Sequence, residues 1–433
     1  MTDVLIVGAG AAGLMAAREL ARQQKSIVIL EARNRTGGRI HTVHEDKLEF
    51  PAELGAEFIH GKLPVTLNLL KEAGIKVYPM EGKMIREEEG ELSQSEYFTE
   101  GWSLFTKRLK QLKRDVSIAD FLEQNFSEEK YSEIRETVRG FAEGYDAADL
   151  TRASALALRD EWMGGDDEAQ YRVRGGYGAM IHFLEEECLS AGCVIHLSSV
   201  VRKVEWKRDT VSVITEDEKK FTAKKVIVTV PLGVLQQKET ATGAITFSPA
   251  IPKQMKAIQS LGYGAVIKVL LLFHDAFWKE KEMRKRTGVN LENMSFLFCQ
   301  GTIPTWWTQF PEETPLLTGW LGGPNAEKLT PFGEEIILQK SLGTLAAVFQ
   351  ITTEELKEKL SAWHVVNWPA DPYARGAYTY ATVGSSEARK ILSTSVDGAL
   401  FFAGEALYEG SVMGTVEAAL VSGVDVAKKI LSV

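Results

Sequence analysis

One short run constrains what this chain can fold into more than any other. Gly8-Ala9-Gly10-Ala11-Ala12-Gly13 fits G-x-G-x-x-G, and its setting gives the match its weight. Residues 3–7 (DVLIV) are apolar and β-branched, residues 14–24 space their apolar positions as a helix does, and residues 26–30 (SIVIL) read as a second buried strand. Strand, tight turn, helix and strand make a βαβ unit, which implies a parallel sheet. The first glycine permits the turn, the second lets the backbone approach a pyrophosphate, and the third lets helix pack on strand. Phosphates then meet the N–H groups at the helix N-terminus. Glu31 closes the second strand, where a carboxylate can accept the hydroxyls of an adenosine ribose. An acid there disfavours a 2′-phosphate, so NADP does not suit the site.

The chain has 433 residues, about three times a typical domain of roughly 150 residues, which excludes a single small binding module. With 45% hydrophobic and 25% charged residues it can bury a sizeable core. The net charge of −9 argues against nucleic acid as a partner. Cys188, Cys193 and Cys299 form no disulfide framework and no CxxC pair, so a reducing, cytoplasmic setting is expected. The seven histidines include no HxH or HxxxH pair, so no metal site is expected, and no G-x-S-x-G elbow is present. The N-terminus carries no signal pattern, and the apolar run 266–273 is interrupted by Lys268 and too short to span a membrane. A soluble chain is expected, and the sequence leaves its oligomeric state open, a homodimer included.

Residues 64–160 read as a mostly helical, charged insertion, with amphipathic stretches at 104–112, 118–126 and 131–143. A glycine-rich turn at 175–178 leads into a helix over 179–191 and strands at 194–197, 200–206, 211–215 and 226–230, the last stopped by Pro231. Residues 261–273, 296–298 and 316–320 read as strands of a second sheet, 354–360 as a short helix, 400–403 as a strand and 415–431 as a helix. No linker or repeat appears, so the domains are interleaved. The fold class is α/β (α+β), with a Rossmann-like domain and a substrate domain of mixed sheet plus helices.

Arg33-Asn34-Arg35-Thr36-Gly37-Gly38-Arg39 sets two glycines between arginines. Alone, this reads either as a ligand loop whose guanidinium groups offset pyrophosphate charge or as a solvated basic loop. The run VGAGAAGLMAARELARQQKSIVILEARNRTGGRI, followed by ELGAEFIHG at 53–61, resembles the flavin-containing amine oxidase family, which includes monoamine and polyamine oxidases. GGYGAMIHFLE, VIVTVPLGVL and FFAGEALYEGSVMGTVEAALVSG follow in family order. The resemblance implies an FAD-binding domain from 1–60, 195–235 and 395–433, and a substrate domain from 61–194 and 236–394. It implies FAD contacts at Gly8, Gly10, Ala12, Gly13, Glu31, Ala32, Arg33, Gly38, Arg39, Leu54, Gly55, Ala56, Glu57, Val201, Thr229, Trp368, Tyr373, Gly404, Glu405, Gly414, Thr415 and Val416.

Lys268 lies within Ala265-Val266-Ile267-Lys268-Val269-Leu270-Leu271-Leu272. A lysine there either snorkels from an edge strand or is buried with partners. The resemblance implies the second, a lysine that holds a water near flavin N5 and assists reoxidation by O2. Trp368, Tyr373 and Tyr378 stand in a Pro- and Gly-broken aromatic segment, which is loop packing in its own right; by resemblance Tyr378 is one wall of an aromatic cage around the amine. His60 is either an ordinary loop histidine or, by resemblance, a residue facing the substrate tunnel. Gly414 and Thr415 open the last helix, whose positive end would stabilise negative charge at the reduced flavin.

The sequence departs from the family at two places. Ala377 stands where some members carry a cysteine linked to the flavin, so noncovalent FAD is expected. The second cage wall, often a tyrosine, falls at Ser411 or Val412. The expected chemistry is hydride transfer from the carbon α to an amine onto flavin N5, imine hydrolysis, and reoxidation by O2 to H2O2. Rivals are an amino-acid oxidase, for which Arg172, Arg174 or Arg375 would clamp a carboxylate, a C–C desaturase, and a flavin-loaded binding protein without turnover.

Overall fold

The computed structural model describes residues 2–44, 51–94, 101–164 and 170–432. The opening βαβ unit comprises strand Thr2–Val7, helix Ala11–Ala21 and strand Ile27–Leu30. The helix begins three residues before the predicted Leu14, because Ala11 and Ala12 are good helix formers. It ends earlier than predicted, and Gln24 takes a left-handed conformation (φ 59°) in the turn that follows.

Among the described residues, eight strands form the first sheet. Its order is Val194–His196, Ile27–Leu30, Thr2–Val7, Lys220–Val228, Thr210–Thr215, Val201–Lys207 and Thr246–Ser248, and Leu400–Phe402 pairs with the C-terminal half of Lys220–Val228. The pairings from Val194–His196 through to Leu400–Phe402 are parallel. Successive strand residues face opposite layers: Val4 and Ile6 join a core with helices Ala11–Ala21, Gly178–Ser190 and Val416–Leu431, whereas Leu5 and Val7 join the core on the other side.

The second sheet has the order Leu360–Asn367, Val266–Phe273, Leu316–Gly322, Thr305–Trp307, Met294–Phe298, Lys83–Glu88 and Glu91–Gln94. Every residue of Val266–Phe273 is buried, so Lys268 is interior and does not lie on an edge strand. The predicted strand 261–273 divides at Ala265, its first part, Gly262–Gly264, pairing with Tyr378–Tyr380 instead. A three-stranded sheet joins Phe58–His60 to Gln170–Val173 and Val77–Pro79, setting Phe58 opposite Arg172. Helices Trp102–Lys110, Ile118–Phe126, Ser132–Gly144 and Ala155–Gly164 supply the helical layer.

Candidate active site

One connected cavity of about 1370 Å³ runs between the two sheets. At one end its wall is mostly backbone. Gly8 takes φ +108° and donates its N–H to the Leu30 carbonyl at 2.8 Å. A Cβ at Gly13 would lie 2.0 Å from the Gly8 carbonyl oxygen, so this glycine is fixed by helix–strand contact. A Cβ at Gly10 would meet only the Gly37 carbonyl, at 3.9 Å, and would project into the cavity. The first N–H groups of a helix have no intrahelical partners, and Ala11 and Ala12 line the cavity at this point. Room above Gly10 beside such donors is what a phosphate needs.

Glu31 is 6% exposed and held from two sides, its Oε2 accepting from the Ala9 N–H at 2.8 Å and its Oε1 from the Arg33 N–H at 2.9 Å. Beside it, Arg33 donates twice to Asp371, at 2.9 and 3.0 Å, and its guanidinium lies 5.4 Å from the Tyr373 ring centre. Arg39 pairs with Glu405 at 2.8 Å and also donates to the Ala377 carbonyl. The arginine loop therefore presents ion pairs to the cavity, where the sequence suggested bare guanidinium charge. Arg35 holds the loop itself, donating to the carbonyls of Thr36, Gly38 and Ile40. Ala32, Gly38, Gly55, Ala56, Val201, Thr229, Tyr373, Gly404, Glu405, Gly414, Thr415 and Val416 also line the cavity. Thr415 caps the last helix, its Oγ1 accepting from the Ala418 N–H at 3.2 Å.

The other end is built from side chains. Lys268 is 1% exposed, and its Nζ donates to Glu57 Oε2 at 2.8 Å and to the Gly55 carbonyl at 3.1 Å. The other oxygen of Glu57 accepts from Trp307 Nε1 at 3.0 Å and from Arg172 Nε and Gln309 Nε2, both at 3.2 Å. Burial alone would push the Glu57 carboxyl up; the neighbouring Lys268 and Arg172 outweigh it and hold the group below the usual carboxylate range. Glu57, expected as a cofactor contact, thus spends its hydrogen bonds on the protein. Arg172 also donates to the carbonyls of Thr308 and Phe310.

Tyr378 stacks on Trp320, ring centres 6.3 Å apart at 18°. Both rings are fastened to the end of helix Ser132–Gly144: Tyr378 donates its hydroxyl to the Tyr145 carbonyl at 2.5 Å, and Trp320 donates Nε1 to the Gly144 carbonyl at 2.8 Å. Carbonyls left over at a helix C-terminus are thereby satisfied. His60 packs against Phe58 and Tyr145, and its Nδ1 is buried without a hydrogen-bond partner among the described residues. Burial lowers its pKa to about 4, so the imidazole is neutral at neutral pH. Trp368 lines the cavity and donates Nε1 to the Leu54 carbonyl at 3.2 Å.

Asp146 and Glu161 line the same end and hydrogen-bond to each other. Burial pushes Asp146 up to about 7, and burial with the neighbouring Asp146 raises Glu161 well above the usual carboxylate range, so the pair favours a shared proton. Trp162 Nε1 donates to Asp146 at 3.0 Å. Sequence reasoning missed Trp307, Trp320, Tyr145, Asp146 and Glu161; the adjacent Trp306-Trp307 pair, one ring in the core and one on the cavity, was the available signal. Four predicted residues do not line the cavity, Val412, the alternative to Ser411, packing against the core beneath the last helix instead. Gly13 lies under the turn, Leu54 contributes its carbonyl to Trp368, and Ser411 is exposed, so the loop offers Met413 to the cavity where a second cage wall was expected.

A family model described as flavin-containing amine oxidoreductase matches residues 11–431. The chain belongs to this family. Among curated relatives, lysine-specific histone demethylase 1B of Mus musculus is 30% identical over 469 residues, covering 99% of this chain and 52% of the relative. Polyamine oxidase 2 of Arabidopsis thaliana is 26% identical over 470 residues, covering 99% of this chain and 89% of the relative. The chain thus spans about half the length of the demethylase. The structure of wild-type putrescine oxidase bound to putrescine superposes with a TM-score of 0.79 at 21% identity, covering 100% of this chain and 99% of that one, which establishes the amine-oxidoreductase fold. Among the described residues no helix is long and apolar enough to cross a membrane, and no cluster of metal-ligating side chains occurs.

Proposed function

We propose that this flavin-family chain is an FAD-dependent amine oxidase that releases H2O2. The observation that carries the proposal is the junction of two ends in one cavity: a glycine cradle with Glu31 beside it, leading to Lys268, Tyr378 and His60. Gly10 leaves the room a pyrophosphate needs, so the residues fit FAD, and Ala377 offers no thiol for a covalent link. The bound flavin would supply a hydride acceptor at the amine's α-carbon and a donor of two electrons to O2.

The chain's own residues then orient and charge-match the substrate. The stacked Tyr378 and Trp320 rings offer π faces to an amine, and neutral His60 lines the cavity beside them. Asp146 and Glu161, both pushed toward their protonated forms, offer carboxyl oxygens that can accept from an amine N–H. An amino-acid oxidase would need a guanidinium clamp. Arg172 is committed to Glu57 and two carbonyls, Arg174 is exposed, and Arg375 donates to the Thr242 carbonyl; none of the three lines the cavity. The three free thiols suit a reducing, cytoplasmic compartment.

A peroxide assay over monoamines, polyamines, amino acids and a methyl-lysine peptide tests the proposal. Peroxide with an amine is expected. Release with amino acids alone would move the chain to the rival activity, and silence across the panel would leave a flavin-loaded binding protein.

A further inference from the structure

Lys268 has three N–H bonds, of which Glu57 and the Gly55 carbonyl take two, leaving one for the cavity. Its ammonium and the Arg172 guanidinium converge on a single carboxylate, with Lys268, Arg172 and Glu57 each 4% exposed or less at the side chain. Trp307 and Gln309 complete the hold on that carboxylate, and the Trp307 ring centre lies 5.5 Å from Lys268 Nζ. Surface lysines need no such arrangement; in a strand buried along its whole length, removing the carboxylate would leave two cations in a dry interior.

We propose that Glu57 is a positioning residue acting through Lys268: clamped by Arg172, Trp307 and Gln309, it keeps the ammonium charged and aims a single N–H into the cavity. The inference rests on the proposed function in that the N–H has a role only where flavin and O2 meet. Glu57 does not touch the reacting atoms; it sets which state and direction of Lys268 they encounter. The charged groups around Lys268 are Glu57, Glu53 from the same segment, and Arg172 from Gln170–Val173. Its neighbours across the second sheet, Trp320 and Val366, carry no charge.

The test is the pH dependence of Glu57→Gln, read on the purified, flavin-loaded chain in two ways. Without its carboxylate, Lys268 sheds a proton in the folded chain at a pH where the unfolded chain still holds it, so stability rises with pH through that window. The deficit in melting temperature against wild type should therefore shrink between about pH 6 and about pH 9. Stopped-flow reoxidation of the reduced enzyme should be within about threefold of wild type at the lower pH and at least roughly tenfold slower at the higher, while wild type stays flat. A pH-independent melting deficit with a flat reoxidation profile would overturn the proposal, since a space-filling Glu57 gives that result.

Glu53, pushed up to about 7 by burial, titrates in the same window, so Glu53→Gln is measured alongside and should not reproduce the effect. Arg172→Met leaves Lys268 paired with Glu57 and should show no slope; a slope equal to that of Glu57→Gln contradicts the assignment. Should Glu57→Gln fail to fold, wild type still decides: reoxidation that falls roughly tenfold over this pH range overturns the proposal. Lys268→Met separates the two levels. If it reoxidises like wild type while the Glu57→Gln melting slope stands, the role given to Lys268 at the flavin fails and the charge pairing does not.

Discussion

The two ends of the cavity are made in different ways. At the glycine end, proposed to hold the nucleotide, shape comes from backbone: Gly8, Gly10 and Gly13 are set by one turn and met by Glu31 a single helix later. At the lysine end, proposed to take the amine, shape comes from side chains that meet across long separations, Lys268 and Glu57 being 211 residues apart and Arg172 and Glu57 115. A local device tolerates almost no substitution at its glycines, whereas a distributed one can be tuned residue by residue. On the proposed function, cofactor binding and substrate choice should be separable by mutation.

The sharpest way to break that contrast is at the glycines. Gly13→Ala drives a Cβ against the Gly8 carbonyl and should cost about 3 kcal/mol of stability along with flavin, measured by denaturant unfolding and flavin absorbance. Gly10→Ala has room within the fold and should leave unfolding within about 1 kcal/mol of wild type, yet lose flavin affinity roughly tenfold because its methyl occupies the phosphate's space. Equal losses of stability in the two variants would contradict the distinct roles given to these glycines.

At the amine end the effects are smaller. Burial raises the Asp146 pKa to about 7, so between about pH 4, where the unfolded group titrates, and about pH 7 the folded chain binds the extra proton. Stability therefore falls as pH rises through that interval. Asp146→Asn should flatten the curve, gaining on wild type at about pH 8 relative to about pH 5 in melting experiments; an unchanged slope would show that Asp146 is not the titrating group. Smallest is Tyr378→Phe, which keeps the ring and loses the hydrogen bond to the Tyr145 carbonyl. It should lower kcat/KM about fivefold, the equivalent of one hydrogen bond, and a larger drop would give the hydroxyl a further role.

The same contrast explains what could be read from the sequence. The βαβ unit, most strands of the first sheet and the final helix are signalled by local pattern, and the glycine spacing needs no knowledge of distant residues. Thr246–Ser248 gave no signal, and Lys220–Val228 begins six residues before the predicted 226 because its first half alternates polar and apolar residues ahead of the apolar run. Lys268 stood out because a lysine in an apolar run either snorkels from an edge strand or needs a buried partner. The partner could not be named, because Glu57 reaches it only after Phe58–His60 pairs with Gln170–Val173 and the second sheet closes beside them. The strands Lys83–Glu88 and Glu91–Gln94 were hidden for a different reason: their charged residues gave no period-2 apolar signal. Ser411 shows the limit of matching positions by resemblance, since its loop turns it to solvent and presents Met413 instead.

Anaerobic titration of the oxidised, flavin-loaded chain with amines, followed at about 450 nm, tests the central claim most directly. Bleaching of the flavin by an amine, restored on admitting O2, is the predicted result. A flavin that reduces photochemically yet stays oxidised under every amine offered would contradict it.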